Sequence, residues 1–212
     1  MVALDLQEQE QVEELKAWWK DNRNQLLGAL LISVVAIGGW RGWQYYHHNQ
    51  STQAAMLYSE FVRQLAGNDT GRVNDAAAAM MDRFGSTAYA SRAALLAAQV
   101  NEHGKDAARA KAQLQWVIDH SGETGLRDVA RLRLASLLLD EAKYAEAMTL
   151  LKTEHSASFD GLYTDLQGDV LSAQGKPDEA RSAYKLAYEK TDPKSMYRNL
   201  IKMKLDALVA SK

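Results

Sequence analysis

The sequence contains no cysteine, only 2 prolines and no surplus of positive charge. The absence of cysteine excludes a disulfide framework, thiolate metal ligands and a cysteine nucleophile. A formal net charge of -2 gives no sign of the basic surface that nucleic-acid-binding proteins use, so no nucleic-acid partner is expected. The scarcity of proline and a hydrophobic content of 47% exclude a disordered or collagen-like chain and favour helices over strands.

Charge is also absent from one stretch near the N-terminus. No charged residue occurs between Arg23 and Arg41, and most side chains in between are apolar. This stretch lies at the lower edge of the roughly 17 to 25 residues that cross a bilayer. The segment before it is long and acidic, unlike the short basic start of a cleaved signal peptide. We therefore predict an uncleaved transmembrane signal anchor over residues 24–46. A buried core helix is the alternative, because the strictly apolar part is short.

Aromatic and basic residues lie before the predicted anchor and at its C-terminal end. Such side chains favour the headgroup region, where one side chain meets both lipid and water. The residues assigned to this membrane interface are Trp18, Trp19, Trp40, Arg41, Trp43, Tyr45 and Tyr46. Trp18 and Trp19 also recur with Val12 and Leu15 at helical spacing, which predicts a short amphipathic helix at the cytoplasmic surface or, alternatively, a partner-binding helix.

The cations near the anchor predict its orientation. Lys16, Lys20 and Arg23 precede the uncharged stretch, whereas Arg41 is the one lysine or arginine that follows it before Arg63. Because the side richer in lysine and arginine stays in the cytoplasm, residues 1–23 are predicted to form a cytoplasmic tail. Residues 47–212 then form a domain on the other side. That side is the periplasm if the membrane is the inner membrane of a Gram-negative bacterium.

The rest of the chain has the pattern of a helical repeat. Apolar residues recur with a period near 3.6 between short breaks, and no segment reads as a strand. One set of spaced residues matches the tetratricopeptide pattern of small, apolar, turn and aromatic positions: Gly168, Leu171, Gly175, Ala180, Tyr184, Ala187 and Pro193. A similar set lies 33 residues earlier: Ala135, Leu138, Ala142, Ala147 and Leu151. We predict an all-α fold, with a single N-terminal transmembrane helix followed by a tetratricopeptide-like solenoid.

Two further expectations concern the earlier repeats and the end of the chain. A more degenerate unit places Ala97, Val100 and Gly104 at the first helix and its turn. The last stretch, 195–209, is predicted to be a capping helix with an apolar inner face. The residues assigned to that inner face are Met196, Leu200, Met203 and Leu205.

Signatures of catalysis and of metal or cofactor binding are absent from the sequence. None of the 5 histidines has a recognised metal-ligand spacing, and there is neither a P-loop nor a nucleophile elbow. The many carboxylates are expected on solvated helix faces or at helix caps. We therefore predict no catalytic residue, no metal and no cofactor, and expect that the protein is not an enzyme.

The concave face of the repeats is the predicted site for a partner. In a stack of helix pairs, the first helix of each pair lines this face. The residues assigned to the groove are Leu132, Ser136, Leu139, Leu162, Asp165 and Asp169, and Ala94, Ala98 and Asn101 are expected on the same face. The positions at which a clamp for a peptide carboxylate uses lysine and asparagine hold alanine, leucine, serine and aspartate instead, so such a clamp is not expected. A mildly apolar groove for an unfolded segment or a partner helix fits better, unless Leu132 and Leu139 belong to the core between repeats.

Three stretches carry a resemblance to a known family: Glu8 to Trp19 with its Gln11-Val12-Glu13, Ile37 to Trp43, and Gly168 to Tyr188. Together with the order of tail, anchor and repeats, they resemble the ancillary SecYEG translocon subunits, the YfgM-type proteins of Gram-negative inner membranes. The resemblance implies a single-pass protein that associates with the SecYEG translocon and works beside the membrane-anchored chaperone PpiD. It also implies a role in passing unfolded, newly translocated proteins to periplasmic chaperones.

A second function shares the same architecture. A membrane-anchored repeat protein also suits a scaffold for another envelope assembly, such as cell-wall synthesis or cytochrome maturation. Because one fold hosts many functions, the repeat pattern does not separate the two.

Overall fold

The computed structural model describes residues 6–67 and 69–210, and within them every regular element is a helix. The α-helices are α1 (Leu6–Ala66), α2 (Thr70–Phe84), α3 (Ala88–His103), α4 (Ala107–His120), α5 (Thr124–Asp140), α6 (Tyr144–Leu151), α7 (Asp160–Ala173), α8 (Pro177–Lys190) and α9 (Tyr197–Ala210). The all-α prediction is confirmed. Residues 1–5 of the predicted tail, Asn68 in the first predicted break and residues 211–212 lie outside the described residues.

The chain divides into two compact units, residues 1–49 and 50–212. In the first unit, the described residues belong to the first part of α1. Its apolar side chains, such as Leu31, Val35 and Ile37, are exposed, and its most apolar stretch is not buried against other described residues. This exposure argues against the alternative of a buried core helix, because a core helix buries its apolar side chains. By length and composition, this helix is suited to crossing a membrane.

The second unit is a chain of helix pairs. Each helix from α2 to α9 packs against the next one, and α5 also packs against both α3 and α7. Contacts between alternate helices are what stacked repeats require, because no pair buries its own apolar faces alone. Three buried clusters result. They are centred on Phe61 and Met80 at one end, on Leu114 and Leu151 in the middle, and on Ile201 at the C-terminal end.

Helices α7 and α8 cross closely at Gly168. A Cβ atom added to Gly168 would lie 2.5 Å from the Tyr184 ring, so the ring packs directly on the backbone of α7. Gly168 and Tyr184 are the small and the aromatic positions of the repeat pattern. Their spacing in the sequence therefore reflects a contact that only glycine permits here.

The turns that follow α3, α5 and α7 each contain one residue with positive φ, the left-handed conformation. That residue is glycine only after α7. Gly175 has φ 74°, as expected for a glycine that ends a helix. In the two preceding repeats the left-handed residues are Ala142 and Lys105. Gly104 lies at the end of α3, as its place in the repeat pattern predicts, but its φ is −75°. The left-handed residue is the one after it, Lys105.

Buried polar side chains also connect neighbouring helices. The amides of Asn74, Asn101 and Gln113 form a closed set of hydrogen bonds of 2.8 to 3.0 Å that joins α2, α3 and α4. A satisfied polar cluster of this kind favours one packing arrangement over others, because a shifted register would leave buried amides without partners.

We expect Gly168→Ala to lower the free energy of unfolding by about 2 kcal/mol, because the added methyl overlaps the Tyr184 ring. Gly125→Ala is the matched control, since nothing lies within 4 Å of a Cβ at that helical position. The control is expected to leave stability unchanged or to raise it by up to about 1 kcal/mol. Thermal unfolding of the full chain in detergent, followed by circular dichroism, measures both. Equal melting temperatures for the two variants would contradict the close crossing.

Candidate partner-binding groove

A cavity of about 300 Å³ lies between α5, α7 and α9. We call it the groove. It is lined by Leu132, Arg133, Ser136, Leu162, Asp165, Leu166, Asp169 and Tyr197. Five of the six residues assigned to a groove from the sequence therefore meet around one cavity. Whether this cavity binds a partner remains a prediction.

Helical spacing explains why these side chains meet. Leu132 and Ser136 are four residues apart on α5, and Leu162, Leu166 and Asp169 follow one another at intervals of four and three on α7. Side chains at such intervals share one face of a helix. One face of α5 and one face of α7 therefore line the cavity, and both contribute apolar side chains.

Leu139 does not line the cavity. It is partly buried and packs against the central buried cluster, together with Leu132. Leu132 thus has both roles, since it contacts the core and also forms one wall of the cavity. The sequence left open whether Leu132 and Leu139 belong to the groove or to the core. Leu139 belongs to the core, whereas Leu132 lies at the boundary between core and groove.

The groove does not extend to α3 as expected. Ala94 and Ala98 are fully buried in the central cluster, and Asn101 is buried in the amide cluster. Placing these three residues on an open concave face was wrong. The small size of the alanines lets the neighbouring helices approach closely, and the close approach covers that face.

The floor of the groove is an ionic cluster that spans α7, α8 and α9. The ammonium of Lys204 lies 2.7 Å from Oδ2 of Asp165 and 2.7 Å from Oδ2 of Asp169. The hydroxyl of Tyr197 donates to Oδ2 of Asp165 at 2.5 Å, and the hydroxyl of Tyr184 donates to Oδ1 of Asp169 at 2.7 Å. The last helix is therefore fixed to the acidic face of α7.

The two tyrosines act as neutral donors. Burial raises the pKa of Tyr184 and of Tyr197 above the usual range, and the hydrogen bonds to Asp169 and Asp165 raise each pKa further. A tyrosine held beside a carboxylate loses a proton less readily, because ionisation would put two negative charges side by side. Both hydroxyls therefore stay protonated at physiological pH.

The sequence did not identify this cluster completely. Asp165 and Asp169 were assigned to the groove, but Tyr184, Tyr197 and Lys204 were not. Tyr184 was visible as a repeat position, whereas Lys204 has no periodic or motif signal. Its role depends on how α9 docks.

The docking of α9 also corrects the predicted inner face of that helix. Ile201 is fully buried, and Leu205 and Leu208 pack beside it. Met196 and Met203 are instead 88% and 68% exposed, and Leu200 is exposed as well. The assignment was therefore right for Leu205 and wrong for Met196, Leu200 and Met203. Apolar residues occupy more than one side of α9, and the angle at which it meets α8 decides which side is covered.

The residues assigned to the membrane interface all lie on α1 and are exposed there. Trp40 and Trp43 are one helical turn apart, with ring centroids 5.6 Å from each other. His47 extends this aromatic row, 4.4 Å from the Trp43 ring. Exposed aromatic side chains at the end of an apolar segment are typical of helices that cross a membrane–water interface.

Comparison with known proteins gives a family and several relatives. The family model described as tetratricopeptide repeat-like domain matches residues 16–210. The chain is 28% identical over 208 residues to the ancillary SecYEG translocon subunit of Neisseria gonorrhoeae, covering 98% of this chain and 100% of the relative. It is 26% identical over 211 residues to the protein of that name in Haemophilus influenzae, covering 98% and 100%. The Escherichia coli protein of that name is 26% identical over 201 residues, covering 95% and 96%. The predicted resemblance is confirmed.

We expect Lys204→Met to lower the free energy of unfolding by about 2 kcal/mol. The change leaves Asp165 and Asp169 without their shared cation, and removing one partner of a buried ion pair is costly. Lys202→Met is the matched control, because Lys202 is an exposed lysine on the same helix. Urea unfolding of the full chain measures the difference. A control that is destabilised as much as Lys204→Met would argue against the ionic cluster.

Proposed function

Because this chain belongs to the tetratricopeptide repeat-like domain family, we propose that it is a non-enzymatic accessory subunit of the SecYEG translocon in a bacterial inner membrane. The observation that carries the proposal is the end-to-end similarity to relatives named ancillary SecYEG translocon subunit, which includes the apolar N-terminal helix as well as the repeats. Repeat stacks commonly serve as binding surfaces, and this chain presents a groove with apolar walls.

The membrane arrangement is the first part of the proposal. Residues 24–46 cross the inner membrane, residues 1–23 form a cytoplasmic tail, and residues 47–212 form a periplasmic domain. The exposed apolar side chains of α1 support the crossing, and Lys16, Lys20 and Arg23 support the orientation. Trp18, Trp19 and the aromatic row around Trp43 then lie at the two interfaces.

The finer part of the proposal is an adaptor role. Newly translocated chains reach the periplasm unfolded, with apolar segments exposed. The groove takes such segments and helps to pass them to periplasmic chaperones, beside the membrane-anchored chaperone PpiD. The three leucines that wall the groove support this role, because an apolar surface removes apolar segments from water without a chemical step.

The absence of cysteine makes the orientation directly testable. A single cysteine introduced by Ser51→Cys is expected to react with a membrane-impermeant maleimide in intact spheroplasts. Asp21→Cys is the matched control on the other side, and it is expected to react only after the membrane is permeabilised. Both positions are exposed on α1. The reverse labelling pattern would overturn the proposed orientation.

Crosslinking in native membranes tests the translocon assignment. The tagged full-length protein is crosslinked, purified in mild detergent and analysed by mass spectrometry, beside a variant in which an unrelated apolar helix replaces residues 24–46. We expect SecY, SecE, SecG and PpiD to copurify with the unaltered chain. Retention of these partners by the variant would assign recruitment to the repeats, and their loss would assign it to the anchor.

The same crosslinking experiment can also contradict the translocon assignment. An unrelated single-pass protein with the same tag sets the background of copurified membrane proteins. Recovery of a cell-wall synthesis or cytochrome maturation assembly, with no translocon subunit above that background, would favour the scaffold function instead.

A further inference from the structure

The groove has more negative charge than its own cations neutralise. Asp165 and Asp169 are both held by the single ammonium of Lys204. Arg133 is the other cation at the cavity, and its guanidinium donates at 3.1 Å to Glu102 and at 3.0 Å to the carbonyl of Leu95. Three carboxylates therefore face two cations. One negative charge remains beside apolar walls, where charges are weakly solvated.

One carboxylate oxygen of the same cluster also has no hydrogen-bond partner. Oδ2 of Asp165 accepts from Tyr197 and Lys204, whereas Oδ1 is buried and accepts from no described residue. Asp165 is only 1% exposed. A buried acceptor without a donor is costly, roughly 1–3 kcal/mol, and more when the group is charged. The carboxylate oxygen that lacks a hydrogen bond thus belongs to one of the two carboxylates that share a single cation.

The surroundings of Asp165 define what else a ligand must contact. Leu132, Leu162 and Leu166 form apolar walls around a volume of about 300 Å³, which has room for one or two side chains and not for a folded domain.

We propose that the groove binds an apolar segment of an unfolded chain that carries a lysine or arginine. The cation donates to the Asp165 carboxylate and neutralises the remaining charge, while the apolar neighbours of the cation pack on Leu132 and Leu162. This inference rests on the proposed adaptor function and adds the class of segment that the groove selects. A segment with a central carboxylate is rejected, because it would bring a second uncompensated negative charge into the cavity.

The test uses the full-length protein in detergent micelles and three fluorescein-labelled peptides. The peptides consist of leucine, alanine and serine around one central residue, which is lysine, glutamine or glutamate. Fluorescence anisotropy gives the dissociation constants. We expect the lysine peptide to bind at least about tenfold more tightly than the glutamine peptide, as a hydrogen bond to a charged group requires. The glutamate peptide is expected to bind more weakly than both.

Variants connect this preference to the groove. Asp165→Asn removes the surplus charge and is expected to reduce the lysine preference to near unity. Leu162→Ala is expected to weaken all three peptides by the same factor, because it removes apolar contact alone. Asp75→Asn is the matched control, since it makes the same charge change at an exposed position of α2. The control is expected to leave all three constants unchanged. If thermal unfolding shows that Asp165→Asn is not folded, Asp169→Asn replaces it.

Two results would overturn the inference. One is equal binding of the lysine and glutamine peptides to the unaltered protein. The other is a lysine preference that survives in the folded Asp165→Asn or Asp169→Asn variant. Either result leaves the copurification of translocon subunits as a separate observation. Failure of the groove specificity and failure of the translocon assignment are therefore distinguishable.

Discussion

The stack of helices depends on one packing constraint, which is that no helix pair covers its own apolar faces, so neighbouring pairs must cover them. Close crossings make this possible. Tyr184 packs on α7 because Gly168 has no side chain, and buried alanines such as Ala110 and Ala135 occupy the tight positions of the earlier repeats. Close packing along the stack leaves the first helices of successive pairs side by side, and a groove forms between them.

The same constraint explains why the groove has an ionic floor. The end of a repeat stack needs a final helix to cover the last apolar face. Here α9 covers it with Ile201 and also brings Lys204 and Tyr197 to the carboxylates of α7. Without α9, Asp165 would be an unpaired carboxylate beside apolar walls. The docking of α9 therefore both covers the end of the stack and completes the ionic cluster at the groove.

The proposed membrane anchor and the proposed partner groove lie in different parts of the chain and use apolar surface differently. In α1 the apolar side chains are exposed over a long stretch, which suits lipid. In the groove, apolar walls surround a charged floor, which suits a segment of mixed chemistry. The proposed function uses both surfaces, the first for membrane attachment and the second for binding a partner.

The sequence by itself determined the class of fold, the location of the apolar helix and the spacing of the repeats. Each of these follows from local periodicity: hydrophobic side chains every three or four residues, an uncharged stretch, and small and aromatic positions at fixed intervals. Five groove residues followed from the same spacing, because residues on one face of α5 or α7 must share a surface.

Tertiary structure decided what depends on the angles and distances between helices. The sequence placed Ala94 and Ala98 on an open face, and packing of the neighbouring helices buries them. It placed Met196 and Met203 inside, and the docking of α9 turns them outward. Lys204 had no sequence signal at all, because its role arises from two carboxylates that lie far from it along the chain. Periodicity fixes which residues share a face, but the neighbouring helices determine whether that face is core, groove or solvent.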